Sequence, residues 1–257
     1  MKTIRTIAEL RSELAGREVG LVPTMGALHA GHRSLFDAAR AENEVVVASL
    51  FVNTAQFGEQ ADLDAYPRDE ARDAGLAAEA GVDVLFAPSA EEIYPPGFGT
   101  WVEVDDTGAE GAARPGHFRG VATICAKLFN IVRPARAYFG QKDAQQAQVV
   151  RRVVRDLNLP VEIRVCPTVR DDDGLALSSR NVRLSPDERE RALRLPRALE
   201  AARTSADPVA AVRSTLNGLD PEYVELVRLG EATLLAAAVR IGETRLIDNV
   251  VLEGELT

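Results

Sequence analysis

The sequence predicts an α/β fold: a doubly wound parallel sheet in an N-terminal domain, followed by a smaller α+β domain. Three observations indicate this. Short strand-like segments alternate with helical patterns over the first two-thirds of the chain, those strands are apolar almost throughout, and the pattern changes near residue 170. Strands that lack polar alternation are typical of a parallel sheet buried on both faces. We expect the domains to span residues 1–169 and 170–257, which suits a chain of 257 residues.

Each element has its own signal in the sequence. Short β-branched, apolar runs predict strands, and apolar residues at helical spacing predict the helices between them. In the second domain Ser185, Pro186 and Glu188 form a good helix start, with a cap, a first-turn proline and a capping-box acid. The predicted strands are 18–24, 44–53, 82–88, 135–140, 161–168, 223–229 and 244–251, and the predicted helices are 28–41, 68–80, 121–132, 144–157 and 185–203.

Composition and charge exclude several classes of partner. The chain is 46% hydrophobic and 27% charged, as globular proteins are. Its 30 basic and 39 acidic side chains give a net charge of −9. We therefore expect no non-specific binding to nucleic acid or to an anionic membrane. An anionic ligand would need local positive groups, held against the overall charge.

The N-terminus and the cysteines favour a reducing cytoplasm. Residues 1–14 carry charges every few positions and lack the apolar core of a signal peptide. The longest apolar stretch, 45–52, is far shorter than the roughly 20 residues that cross a bilayer. Cys125 and Cys166 are too few for a disulfide framework or a cysteine zinc site, and both have apolar neighbours. We expect them to be buried, inert thiols.

The strongest local motif is PTMGALHAGH, residues 23–32, which follows the first predicted strand and opens a helix. Gly26 and Gly31 allow close backbone approach, and the amides of a helix N-terminus favour an anion. His29 and His32 are three residues apart, so they share a helical face and can donate hydrogen bonds to phosphate oxygens. The alternative is a pair of ordinary surface histidines. Two of the three histidines of the chain occupy this motif, which favours the phosphate site.

Two further segments carry cations that suit phosphate. Lys142 follows a predicted strand and offers a point charge, although it could be a solvated lysine at a helix start. Asp143 beside it is either a helix cap or a ligand for a ribose or a metal. Ser178, Ser179 and Arg180 combine hydroxyls with a guanidinium, as a phosphate clamp does, although such a tripeptide is more often a turn. The glycine-rich segment 107–120 has the composition of a surface loop.

Five motifs in order resemble one family. PTMGALHAGH carries the HxGH signature of the nucleotidyltransferase-like superfamily and is similar to the corresponding stretch of the pantothenate synthetase (pantoate–β-alanine ligase) family. FVNTAQF at 51–57, GHFRGVAT at 116–123, FGQKDAQQ at 139–146 and VRDDDGLALSSRN at 169–181 resemble further motifs of that family. In the last part of the chain, RIGETRLIDN at 240–249 is the clearest match.

The resemblance implies a Rossmann-like fold and an activity. The activity is the ATP-dependent condensation of (R)-pantoate with β-alanine, which gives pantothenate, AMP and diphosphate through a pantoyl adenylate. Mg²⁺ and a homodimer are implied as well. So is a flap at 107–120 with Glu110 and Arg114 facing inward, while His117 is open between a structural and a catalytic role.

The resemblance also assigns site residues. It implies catalytic roles for His29, His32, Lys142 and Arg180, and it places pantoate on Gln56 and Gln146, with Gln56 contacting β-alanine too. Val169 would lie near the adenine. The implied ATP-binding set is Met25, Gly26, Ala27, Leu28, His29, Ala30, Gly31, His32, Gly140, Gln141, Lys142, Asp143, Val169, Leu177, Ser178, Ser179 and Arg180.

The chain departs from the family pattern at two positions, and two other functions stay open. Thr54 replaces a proline that would stiffen the loop before Gln56, and Arg33 stands where an aliphatic residue is usual. Another HxGH nucleotidyltransferase would release a stable nucleotide conjugate. Gln56 and Gln146 instead suit a small polyol acid, whereas a phosphorylated acceptor would call for more Arg and Lys. The second alternative is a non-catalytic nucleotide-binding module.

Overall fold

The computed structural model describes residues 1–58, 60–105 and 108–255. Within them, six parallel strands form one sheet and three antiparallel strands form a second. The predicted α/β fold with a smaller α+β part is therefore confirmed. The strands are β1 (Lys2–Ile4), β2 (Val19–Thr24), β3 (Val45–Leu50), β4 (Val84–Phe86), β5 (Arg136–Gly140), β6 (Glu162–Cys166), β7 (Asp220–Leu229), β8 (Ala232–Ile241) and β9 (Thr244–Glu253).

Helices connect the parallel strands and cover the second sheet. They are α1 (Ile7–Glu13), α2 (Ala30–Glu42), α3 (Gln60–Asp64), α4 (Glu70–Glu79), α5 (Ala90–Ile93), α6 (Ala109–Ala113), α7 (His117–Val132), α8 (Ala144–Asp156), α9 (Pro186–Ala192), α10 (Arg194–Ala202) and α11 (Pro208–Thr215). Short 3-10 turns lie at Thr54–Gln56, Gln141–Asp143 and Asn181–Arg183.

Both faces of the parallel sheet are buried, as the apolar strands predict. Successive strand residues point to opposite faces, so neighbouring valines enter different cores. Val45 packs in one core with Phe129 of α7, and Val46 packs in another with Phe36 of α2. All four side chains are almost completely buried. Burial on both faces is what makes a central strand read as a continuous apolar run.

The strand order places a binding edge between β2 and β5. The parallel sheet has the order β1-β4-β3-β2-β5-β6, so the chain builds outward from β2 in one direction and later from β5 in the other. Ligands of doubly wound sheets bind beyond the carboxyl ends of the strands at such a switch point. Thr24 ends β2 and Gly140 ends β5, so the two predicted phosphate motifs begin at this point.

The second sheet is covered on both faces. Val250 of β9 shares a core with Leu199 of α10, and Val251 packs with Ala144 of α8, which belongs to the parallel-sheet part. This sheet therefore lies between its own helices and the first part of the chain. The division into domains at residues 169 and 170 stays a prediction.

Three elements show the largest differences between the sequence prediction and the structure. The single helix expected over 185–203 is two helices, α9 and α10, that meet at Leu193. Pro196 explains the break, because it has no amide to donate and its ring crowds the carbonyl four residues earlier. Helix α7 begins at His117, four residues before the predicted start. Strand β8 is absent from the sequence prediction, since its run of alanines carries little strand signal.

The structure also tests the expected burial of the two cysteines and the search for a membrane-spanning helix. Both cysteines are free; Cys125 is buried as expected, whereas Cys166 is half-buried, so the expectation of a buried thiol is wrong for Cys166. Burial raises the pKa of the Cys125 thiol to about 12, so it stays protonated. In the described part of the chain, every helix is too short or too polar to cross a bilayer.

Candidate active site

A cleft of about 1080 Å³ opens beyond the carboxyl ends of β2, β5 and β6. This space includes solvent at the open mouth of the cleft. Most of the residues that the sequence analysis singles out line it. These are Met25, His29, Gly31, His32, Gln56, Gly140, Lys142, Asp143, Gln146, Val169, Leu177, Ser178, Ser179 and Arg180.

The other predicted ATP-binding residues lie beside this cleft. Gly26, Ala27 and Leu28 are buried in the turn that leads into α2. Ala30, the first residue of α2, is exposed. The side chain of Gln141 points to the second sheet, where its Nε2 donates to Asn249 Oδ1 at 3.1 Å.

A buried carboxylate occupies two amides in the turn before α2, at residues that the resemblance places in the ATP-binding set. Asp73 of α4 is 1% exposed and accepts hydrogen bonds from the amides of Ala27 (2.7 Å) and Leu28 (2.8 Å). A β-carbon on Gly26, which has φ +86°, would lie 2.8 Å from Asp73 Oδ2. The anion bound by this turn is therefore the protein's own. Sequence reasoning missed Asp73 because it lies 46 residues from Ala27.

The rings of the two motif histidines accept hydrogen bonds from backbone amides at the start of α2. His29 is the N-cap, in extended backbone geometry, so the helix begins at Ala30, two residues later than predicted. Its Nδ1 accepts from the amide of Gly31 at 3.1 Å, and His32 Nδ1 accepts from the amide of His29 at 3.3 Å. The ring centroids lie 4.2 Å apart. Because each Nδ1 accepts, each ring carries its proton on Nε2, which makes both histidines neutral donors of one hydrogen bond.

The environment of the cleft keeps these rings neutral. Burial, with help from the Lys142 charge, lowers the pKa of His29 to about 4. Burial and the neighbouring His29 ring lower the pKa of His32 to about 3. At neutral pH the positive charge at this edge therefore comes from lysine and arginine, and the imidazoles supply hydrogen bonds.

Lys142 and Asp143 follow β5 in a 3-10 turn and face the same cleft. The Lys142 side chain is 18% exposed, and its Nζ lies 3.7 Å from Asp143 Oδ2. Enclosure in the cleft opposes ionisation of Asp143, but the charges of Lys142 and Arg180 outweigh it and lower the pKa of Asp143. Arg180 lies in the loop after β6, where its amide donates to Ser178 Oγ at 3.2 Å. The cleft thus gathers cations on a chain that is acidic overall.

A chain of side-chain amides orients Gln56. Asn53 Nδ2 donates to Gln56 Oε1 at 2.9 Å, and Gln56 Nε2 donates to Met25 Sδ at 3.0 Å. Tyr94 holds Asn53 in turn, with its hydroxyl donating to Asn53 Oδ1 at 2.7 Å. These contacts fix Gln56 although Thr54 stands in place of the family's proline. The sequence analysis singled out neither Asn53 nor Tyr94.

His117 holds the backbone of the same residue. Its Nδ1 donates to the Gln56 carbonyl at 2.8 Å, and its Nε2 accepts from Arg114 Nη1 at 3.2 Å. Burial and the Arg114 charge lower the pKa of His117 to about 4, so the ring is neutral. A β-carbon on Gly120, one turn later in α7, would lie 2.4 Å from the Ala55 carbonyl oxygen. The close approach of α7 to the Thr54–Gln56 turn therefore needs glycine there.

The predicted flap is tied to the second sheet. Residue 107 lies outside the described residues, and α6 forms the part that follows. Glu110 of α6 is 7% exposed. Its Oε1 accepts from the Tyr223 hydroxyl (2.8 Å) and from Arg245 Nη2 (2.6 Å). Burial opposes ionisation of Glu110, but Arg245 outweighs it and lowers the pKa of Glu110. Arg114, by contrast, lines the cleft, as expected of an inward-facing flap residue.

Within residues 1–58, 60–105 and 108–255, the acidic and imidazole side chains are too dispersed to form a metal centre by themselves. Among the described residues, no three His, Cys, Asp or Glu side chains are grouped so that they could hold a metal ion. Asp143 is exposed to the cleft and offers one carboxylate there.

Comparisons with known proteins identify the family of this chain. The family model of pantoate–β-alanine ligase matches residues 1–251. Pantothenate synthetase of Roseiflexus castenholzii is 53% identical, over 98% of this chain and 100% of that protein, and the Moorella thermoacetica enzyme is 50% identical over 98% and 99%.

Solved structures of the same family superpose closely on this chain. Pantothenate synthetase from Thermus thermophilus superposes with a TM-score of 0.94 at 49% identity, over 99% of this chain and 100% of that one. Pantoate–β-alanine ligase from Francisella tularensis, complexed with β-γ ATP and β-alanine, has a TM-score of 0.86 at 37% identity and covers 100% of both chains. This chain belongs to the pantoate–β-alanine ligase family.

Proposed function

We propose that the cleft joins pantoate to β-alanine at the expense of ATP, through a pantoyl adenylate. The observation that carries the proposal is the convergence of His29, His32, Lys142 and Arg180 on one cleft that also holds Gln56 and Gln146. These residues come from segments far apart in the sequence, and they combine groups for phosphate with amides for a hydroxy acid. The ligands named for the Francisella tularensis relative, β-γ ATP and β-alanine, support the same substrates here.

In the first step a carboxylate oxygen of pantoate attacks the α-phosphorus of ATP, and the bond to diphosphate breaks. The protein's part is to position the reactants and to stabilise the developing charge. Lys142 and Arg180 offer that charge, and His29 and His32 donate hydrogen bonds from Nε2. Neutral imidazoles suit this task because their tautomer is already fixed by the backbone amides of the α2 cap.

In the second step the amine of β-alanine attacks the acyl carbon of pantoyl adenylate, and the bond to AMP breaks. Gln56 and Gln146 keep the pantoyl group in place through both steps. The side-chain amide of Gln56 is held by Asn53 and its backbone carbonyl by His117, so Gln56 enters the reaction already oriented. We assign to helix α6, which Glu110 ties to the second sheet, the exclusion of water from the mixed anhydride.

A magnesium ion fits this cleft as a companion of the nucleotide. Mg²⁺ is commonly held by one or two carboxylates together with substrate phosphates. Here Asp143 would supply the carboxylate, and the ATP phosphates would supply other ligands. Such an ion would neutralise charge on the leaving diphosphate. The homodimer and the cytoplasmic location implied by the family are part of the same proposal.

The experiment is a product assay with pantoate and β-alanine varied separately. We expect exchange of labelled diphosphate into ATP with pantoate alone, and AMP with pantothenate when β-alanine is added. Another HxGH nucleotidyltransferase would release a nucleotide conjugate in place of AMP, and a non-catalytic module would bind ATP without forming AMP. Exchange that does not need pantoate would contradict the two-step scheme.

Alanine variants of two lysines, one in the cleft and one far from it in the sequence, provide a matched comparison. Lys142→Ala removes a charge positioned in the cleft and is expected to lower turnover about a hundredfold or more. Lys2→Ala removes a lysine of strand β1 that is bonded to Glu13 and half-exposed, so its turnover should stay at the wild-type value. Near-normal turnover of Lys142→Ala would remove Lys142 from the mechanism.

A further inference from the structure

The segment RIGETRLIDN ends in two residues of β9, Asp248 and Asn249, that the proposed reaction does not use. Both are buried, each 2% exposed. A buried carboxylate and a buried amide cost stability unless they are well bonded, so their partners indicate what they hold in place. Those partners lie in the two segments that carry the cations of the cleft.

Asn249 holds the turn that carries Lys142. Its Nδ2 donates to the backbone oxygens of Gln141 (2.9 Å) and Lys142 (3.1 Å), and its Oδ1 accepts from Gln141 Nε2 at 3.1 Å. The two carbonyls belong to the peptide groups on either side of the Lys142 α-carbon. Fixing both peptide planes fixes the direction in which the Lys142 side chain leaves the backbone.

Asp248 holds the base of the loop that leads to Arg180. Its Oδ2 accepts from Arg170 Nη1 at 2.6 Å and its Oδ1 from Arg170 Nη2 at 3.0 Å, a bidentate pair. The same guanidinium donates to the Gly174 carbonyl at 3.2 Å, so it closes the loop on itself. The hydrogen bond to Asp248 raises the pKa of Arg170. Asp248 Oδ1 also accepts the amide of Asn249 at 2.8 Å, which ties the two residues together.

The two side chains act on opposite faces of the second sheet. Neighbouring residues of a strand alternate between faces. Val250, on the face of Asp248, packs with the core of α10. Val251, on the face of Asn249, packs with Ala144 of α8, directly after the Lys142 turn. One strand therefore bonds the Lys142 turn from one face and the Arg170 loop from the other.

We propose that Asp248 and Asn249 are positioning residues that set the placement of Lys142 relative to the loop carrying Arg180. They act through backbone and guanidinium contacts and touch no substrate. The inference rests on the proposed function, because it gives Lys142 and Arg180 their phosphate roles. Its consequence is that β9, outside the parallel sheet, fixes the geometry of the phosphate site.

The test compares Asn249→Ala with Val250→Ala, its neighbour on β9, which loses apolar packing and no polar contact to the cleft. Both variants should unfold at a lower temperature than the wild type. Only Asn249→Ala should lose turnover, by about thirtyfold, because a misplacement of about 1 Å can cost about a hundredfold. Its KM for pantoate should change less than its turnover, since one of the two proposed pantoate residues, Gln56, lies on a separate segment. Equal turnover of the two variants at saturating substrates would overturn the proposal.

A second variant decides the case if Asn249→Ala does not fold. Asp248→Asn keeps the shape of the side chain but weakens the pair with Arg170, so the KM for ATP should rise about fivefold. An unchanged KM for ATP would overturn the role of Asp248 in the same way. Failure of the proposed function is seen separately, as wild-type protein that forms no AMP with pantoate and β-alanine present.

Discussion

Replacing Asp73 by asparagine tests whether the turn before α2 is built around its own carboxylate. Asp73 accepts two charge-assisted bonds, at 2.7 and 2.8 Å, in a position that is 1% exposed. Asparagine keeps one acceptor oxygen and presents an NH₂ group to the second amide, so one bond is lost and the other weakens. Since hydrogen bonds to charged groups contribute about 1.5–3 kcal/mol each, the free energy of unfolding should fall by about 2–4 kcal/mol.

The assay is urea unfolding at pH 7, together with turnover at saturating substrates. Turnover should fall with stability, because the same turn places the His29 cap. Asp37→Asn is the matched control: it lies on α2, is largely exposed and forms a long surface pair with Arg33 at 4.0 Å. We expect it to change stability by less than about 0.5 kcal/mol. An Asp73→Asn protein as stable as the control would refute the reasoning.

Three further predictions concern protonation, substrate orientation and water exclusion. Folding lowers the pKa of His32 from 6.5 to about 3, so the stability that its neutral ring contributes is fully present above about pH 6.5 and is lost as pH falls towards 3. Between pH 6 and 5 the free energy of unfolding of His32→Asn should therefore fall less steeply than that of the wild type, by a difference of about 1 kcal/mol per pH unit. Tyr94→Phe frees Asn53 and should raise the KM for pantoate about three- to tenfold, leaving the KM for ATP unchanged. Glu110→Gln loosens α6 and should form more AMP than pantothenate, measured as a product ratio above one.

Each of these has a clear contrary result. Urea unfolding of His32→Asn and wild type with parallel pH dependence would mean that the ring titrates normally in the fold. A Tyr94→Phe enzyme with a higher KM for ATP alone would separate Asn53 from pantoate. Equal amounts of AMP and pantothenate from Glu110→Gln would show that Glu110 does not help to exclude water.

The fold and the sheet edge at which the motifs lie follow from local sequence patterns. Continuous apolar strands predicted the parallel sheet, and a motif directly after a parallel strand must emerge at its carboxyl edge. His29 and Lys142 follow β2 and β5, and the adjacency of these two strands, which only the structure shows, brings the two side chains to one cleft. The break at Leu193 also had a visible signal, the proline at 196, which the long helical pattern concealed.

The partners of the site residues could not be predicted in this way. Asp73 looks like one acid among several on a surface helix, and its two amide bonds depend on how α4 packs against the turn before α2. Asn53 and Tyr94 meet across 41 residues, and Asn249 meets Lys142 across 107. Such contacts arise from tertiary packing, for which periodicity and residue spacing carry no signal.

The central claim is that three distant segments meet around one triphosphate. A crystal structure with pantoate and an ATP analogue that cannot be cleaved at the α,β position tests it most directly. We predict phosphate oxygens within hydrogen-bond distance of Lys142 Nζ, the Arg180 guanidinium and at least one of the His29 and His32 Nε2 atoms, with pantoate on Gln56 and Gln146. A triphosphate bound away from these groups, with the cleft empty, would contradict the account.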